Sequence, residues 1–171
     1  MMRKVALLAT LIGVSASLAV GCAAPGSVEG VVRHDGFTLR ADHPLTKPIA
    51  SGRDRIVVLA EQDSETLRTL QLTLPDAATL PLGKAVSIGR APEFGSGQQP
   101  SLQVSVGAVE IETRSDGVEV ISATDATTSS SVRGSITLTE LDDAGIAGSF
   151  HADLDDGGYV DGEFVAEPES E

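Results

Sequence analysis

The sequence predicts an all-β domain: an antiparallel β-sandwich or, as the alternative, a partly closed β-barrel, ending in a three-stranded meander. Three observations predict it. Apolar and polar residues alternate with period two through most of the chain, the pattern of strands buried on one face. About ten or eleven short runs rich in Val, Ile, Leu and Thr are separated by Gly, Pro, Asp and Ser at hairpin spacing. A Gly-x-apolar triplet also recurs three times, as Gly134-Ser135-Ile136, Gly148-Ser149-Phe150 and Gly162-Glu163-Phe164, with the glycines 14 residues apart each time.

In chain order, residues 28–33 and 37–41 form a hairpin about His34-Asp35-Gly36, with Val31 facing Leu39. His43-Pro44 is a loop. Residues 55–60, containing Ile-Val-Val-Leu, are a strand, 63–67 a single helical turn, and 68–74 and 85–89 are strands. Residues 95–100 are a flexible loop, followed by strands at 102–106, 108–113 and 117–123. Ser129-Ser130-Ser131 reads as a polar loop. Prolines 44, 48, 75, 81, 92 and 100 all fall between the runs, where a missing N–H is tolerated.

The closing meander is the most specific part. Ile136 and Leu138, then Ile146, Phe150 and Leu154, then Val160 and Phe164 share one face. Arg133, Thr137 and Thr139, then Ser149, His151 and Asp153, then Asp161 and Glu163 share the other. Asp143-Ala144-Gly145 and Asp156-Gly157-Gly158 are the turns, since glycine supplies a left-handed residue cheaply. Loops centred on Gly157 and Ala144 pair Phe150 with Phe164, Leu154 with Val160, and Leu138 with Phe150.

Ahead of this domain stands an export signal. Arg3 and Lys4 precede an apolar stretch over 5–20 that closes on Leu18-Ala19-Val20-Gly21-Cys22. The stretch is diluted by Thr10, Gly13, Ser15 and Ser17, and is shorter than the roughly 20 apolar residues of a membrane span. Val20, Gly21 and Cys22 resemble the lipobox of bacterial lipoproteins, although Ala19 stands where Leu is usual. That resemblance implies cleavage before Cys22 and acylation of its thiol; cleavage near Ala19-Val20-Gly21 or at Ala24 would leave a free secreted protein instead. Cys22 is the only cysteine, so the domain holds together without a disulfide. The expected organisation is a signal peptide at 1–21, a lipidated cysteine and short tether at 22–27, one β domain at 28–166, and an acidic disordered tail at 167–171.

The motifs at both ends resemble uncharacterised small all-β lipoproteins of high-GC Gram-negative bacteria. They are the lipobox cysteine, Gly30-Val31-Val32 leading to Phe37, and the repeat Gly-Ser-Ile-Thr-Leu-Thr, Gly-Ser-Phe-His-Ala-Asp-Leu, Gly-Glu-Phe-Val-Ala. The resemblance implies location and fold class, leaves about 50–130 unmatched, and assigns no catalytic residue. Ala23 after the cysteine, rather than Asp, resembles an outer-membrane sorting signal.

Charge narrows the partners. Residues 1–21 hold two of the twelve basic residues and none of the twenty-five acidic ones, so removing them takes the net charge from −13 to −15. Such a chain has no basic patch for nucleic acid and is repelled by anionic head groups, so its membrane link is the acyl anchor. Aromatic residues are Phe37, Phe94, Phe150, Tyr159 and Phe164, with no Trp, which counts against stacking platforms for sugars.

Asp153, Asp155, Asp161 and Glu163, beside Asp156, form the densest carboxylate group and are the calcium candidates. The closing Glu of a calcium loop is missing, Phe164 standing in its place, so a solvated hairpin is the preferred reading. Asp116, Asp125, Asp142 and Asp143 also read as turn residues. His34, His43 and His151 lack the paired spacing of a metal site. Gly95-Ser96-Gly97 lacks the strand-then-helix context of a nucleophile elbow. No cofactor is expected. The expectation is therefore a non-enzymatic, membrane-anchored envelope lipoprotein that binds or scaffolds another envelope component. The alternatives are a carrier with an apolar cavity between sheets, and a hydrolase using Asp or Ser in loops 90–100 or 124–131.

Overall fold

The computed structural model describes residues 26–41, 45–48, 53–90, 98–113, 119–142 and 145–168. The described residues contain ten strands, one short 3-10 turn at Ala77–Thr79 and no α-helix. The strands are β1 Gly26–Val32, β2 Asp35–Ala41, β3 Leu45–Pro48, β4 Arg55–Gln62, β5 Thr66–Leu74, β6 Ala85–Ile88, β7 Ser101–Thr113, β8 Glu119–Leu141, β9 Ile146–Leu154 and β10 Tyr159–Pro168. Cys22, the signal segment and His43 lie outside the described residues.

All but one of the strand pairs are antiparallel, and the sheet is nearly closed into a barrel. From β10 the ladder runs through β3, β4, β5 and β7 to β8, and β9 bridges β8 back to β10. The short β10–β3 contact, Glu167 and Pro168 beside Leu45 and Thr46, is the one parallel pair. The last strand also pairs with the first, Gly26 opposite Phe164 through Val31 opposite Tyr159. Neither that meeting of first and last strands nor the β10–β3 contact that closes the ring is carried by any local sequence signal.

The inward face is as the alternation predicts. Ile136, Leu138, Ile146, Phe150, Leu154, Val160 and Phe164 are all buried, together with Leu59, Leu70, Leu72 and Leu102 from the opposite side, in one core cluster. Phe150 and Phe164 meet with ring centroids 6.3 Å apart.

Registers differ from expectation while the faces do not. The β9–β10 loop is Asp155-Asp156-Gly157, one residue earlier than predicted. Leu154 N donates to Gly158 O across it, and Gly157 has φ +84° at its last position. The pairing therefore slips by two residues, an even number that leaves each side chain on its own face. Phe150 stands opposite Gly162 and Phe164 opposite Gly148, instead of facing each other, and Leu154 is not opposite Val160, which faces Ala152. The Phe150 ring lies over Gly162, whose missing side chain leaves room for its full width. Likewise Ile136, not Leu138, faces Phe150 across β8–β9, because the turn closes between Asp142 and Gly145 and a bulge follows at Thr139.

Four further expectations are corrected. The first hairpin turns on Arg33-His34, both left-handed at φ 50° and 72°. Val28, not Val31, then faces Leu39. Residues 63–65 form no helical turn; the Asp63 carboxylate accepts the N–H groups of Glu65 and Thr66 and holds a tight loop. The runs at 102–106 and 108–113 are one strand, bulged where Gly107 faces Asp125 and Ala126. Finally, 124–131 is not a loop but the middle of the 23-residue β8. Ser129 and Ser131 are buried there, and Ser131 Oγ donates to Gly89 O while accepting from Leu102 N. At the domain edges, Gly26 and Ser27 belong to β1, and Glu167 and Pro168 belong to β10 rather than to a tether and a tail.

Asp156 ties three chain segments together. Its carboxylate accepts Ser129 Oγ at 2.6 Å, Arg33 N at 2.7 Å and Gly158 N at 2.7 Å. Burial pushes this carboxyl up, but the three donors outweigh it and the pKa falls below the ordinary 3.8. A depressed carboxyl stabilises the fold above its unfolded pKa, and that contribution is lost as pH falls through the folded value. Asp156→Asn is expected to cost about 1–2 kcal/mol at pH 7. In urea titrations the gap between wild type and variant should narrow as the pH is taken below the ordinary carboxyl range. A gap constant with pH would show that the charge of Asp156 is not what holds the three segments.

Candidate functional site

Five strands, in the order β8, β9, β10, β1 and β2, share an outer face whose side chains line up in rows across the sheet. One row is Ser135, His151, Asp161, Glu29 and Thr38. The next is Thr137, Ser149, Glu163, Ser27 and Arg40. A row on the other side carries Arg133, Asp153 and Tyr159. Alternation puts these residues outward because their neighbours, among them Ile136, Phe150, Val28 and Leu39, fill the core. A twisted sheet is saddle-shaped, concave along one diagonal. Here the concavity is a cleft of about 630 Å³, open on one side and lined by the first two rows.

Its electrostatics are mixed within an acidic surround. His151 Nδ1 lies 2.8 Å from Asp161 Oδ1. A carboxylate can only accept, so Nδ1 carries the proton. The other ring nitrogen faces Asp153 Oδ1 at 3.7 Å, and Asp153 takes a hydrogen bond from Arg133 Nε at 2.5 Å. That Arg133 bond is the main reason the Asp153 carboxyl sits below its ordinary pKa. Arg133, Asp153, His151 and Asp161 thus form a continuous chain of polar contacts along the meander. Glu29 is directly opposite Asp161 on the neighbouring strand, and Glu163 follows Asp161 by two residues on the same face. Like charges set opposite one another across a strand pair destabilise it. The arrangement lowers stability at the cleft, which Glu29, Asp161 and Glu163 all line.

The calcium candidates are dispersed rather than gathered. Asp153 is engaged by Arg133, Asp161 by His151, and Asp155 is at the far turn, where it accepts Ser130 N at 3.0 Å. Glu163 lies in the neighbouring row. Among the described residues no group of three His, Cys, Asp or Glu is placed to hold a metal ion. His34 is in an exposed turn. Asp142 accepts Gly145 N as a turn residue, whereas Asp125 sits in the β8 bulge.

Sequence reasoning found half of this face. The polar-out positions of β8, β9 and β10 followed from alternation, but Glu29, Arg40 and Thr38 carried no sign that β1 and β2 extend the same surface. The polar turn of each hairpin is local, whereas the β1–β10 pair joins residues more than 120 positions apart. Neither a protein-family model, nor a curated protein, nor a solved structure matches the chain.

Proposed function

We propose that the protein is a lipoprotein of a bacterial envelope, acylated at Cys22 and held at the periplasmic side of the outer membrane, where it binds a polar partner without catalysing a reaction. The observation that carries the binding role is the open cleft on the outer face of β8, β9, β10, β1 and β2, with hydroxyl, carboxylate and guanidinium groups converging on it. A binding site on the outside suits this domain better than one inside, because the inward leucines at 59, 70, 72 and 102 are fully buried in a single cluster. The non-catalytic reading is supported by His151. Both of its ring nitrogens face carboxylates, so neither is directed at a serine as a general base would be. The charged outer face also opposes burial of the barrel wall in lipid, which leaves attachment to the acyl chains at Cys22.

The anchor is tested by expressing the full chain in a bacterial host and comparing it with Cys22→Ser. Wild type is expected in the membrane fraction, with a mass increase at Cys22 equal to its acyl groups, and the variant in the soluble periplasmic fraction. Wild-type protein recovered soluble with a free thiol would overturn the lipoprotein reading.

A further inference from the structure

We infer that the cleft takes a short carbohydrate chain, with Tyr159 as the stacking platform at its rim. The inference rests on the cleft being the binding face and names what it binds.

Two independent features point to a sugar. The first is the chemistry of the walls. Ser135, Thr137 and Ser149 present hydroxyls that both donate and accept, while Glu29, Asp161 and Glu163 present acceptors. A sugar hydroxyl is itself donor and acceptor, so a wall with acceptors in excess receives its O–H groups. Phosphorylated or carboxylated ligands are disfavoured by the carboxylates, and Val28, Leu39 and Phe150 at the base of the cleft suit the C–H face of a sugar as the polar rows suit its hydroxyls.

The second feature does not depend on charge. Tyr159 is the only tyrosine in the chain, and the structure leaves it 44 % exposed on the polar side of β10. Its ring centroid is 6.3 Å from that of His151, which places it at the edge of the cleft. An exposed aromatic face beside hydrogen-bonding groups suits a ring whose C–H face is apolar and whose rim is polar. The scarcity of aromatics in the sequence counts against stacking platforms for sugars, but a single placed ring is enough for one sugar unit. At about 630 Å³ the cleft falls in the roughly 300–1,000 Å³ range of small-ligand sites, and its open side lets a chain run on past the bound units.

A basic peptide is the rival. It would satisfy the carboxylates while leaving the hydroxyl wall and Tyr159 unused. The full-length protein should be titrated with chitotriose and maltotriose, in separate experiments, and with pentalysine, following backbone amide shifts. Saturable shifts at Ser149, His151 and Asp161 with either sugar, weakened at least fivefold in Tyr159→Ala, are the expected result. Thermal melting of that variant should match wild type because the ring is on the surface. Pentalysine saturating the cleft with no response to sugar would overturn the carbohydrate assignment and leave the cleft as the binding face. Cleft amides unmoved by all three probes would overturn both. Sugar binding unchanged in Tyr159→Ala would remove Tyr159 from the site and overturn the inference as stated.

Discussion

Replacing Phe164 with alanine is expected to cost about 3–5 kcal/mol, the range for truncating a buried aromatic to alanine. Phe164 is 2 % exposed, and its ring packs against Phe150. Its strand has neighbours along both edges, with Gly148 of β9 and Gly26 of β1 each opposite Phe164. Flanking glycines have no side chains to fall into the space left behind, so the cavity should persist rather than collapse. The cost should thus sit near the upper end of that range. Urea midpoints at constant slope are the measurement. A loss below 2 kcal/mol would mean that the ring is less tightly enclosed than its packing against Phe150 implies.

Gly134→Ala should be nearly as damaging, at about 3 kcal/mol, although it adds only one methyl group. A Cβ at this position would lie 2.1 Å from His151 O and 2.8 Å from Ala152 Cα. Both are backbone atoms of the paired strand and cannot rotate away. β8 is held here on both edges, by β9 through Ala152 and by β6 through Ile88, so it cannot relieve the clash by sliding. Gly157→Ala is the natural comparison. Nothing lies near its Cβ, and the only cost is the left-handed φ of +84°, about 1 kcal/mol. Equal losses in the two variants would show that crowding across β8 and β9 is not what fixes Gly134.

These contrasts indicate how much the sequence could disclose. The buried set of the meander followed from period-two alternation alone, and every residue assigned to it is buried. Register did not follow, because a two-residue slip moves no side chain between faces and periodicity is blind to it. Only the turn centres could have fixed it, and Asp156-Gly157-Gly158 offered two glycines for one left-handed position. β8 was hidden by composition. Its stretch from Thr124 to Ser131 is all hydroxyl, Ala or Asp, with no apolar residue larger than alanine, and it reads as a loop. Its strand conformation is secured instead by pairing with β7 and by hydrogen bonds from Ser129 and Ser131. The cleft was half legible for the same reason as the fold. Local alternation marks which residues leave the core, but not which distant ribbon will lie beside them.

The place of β10 constrains how the polypeptide can acquire its shape. Three earlier segments, β1, β3 and β9, each border this final ribbon. A chain emerging amino end first, from a ribosome or through a membrane pore, must keep β1 waiting with its inner valines uncovered until β10, more than 120 residues later, is free. Contacts spanning such long separations form slowly. The half-emerged molecule is therefore a sticky one, and losing β10 should leave three unmatched borders and no native product.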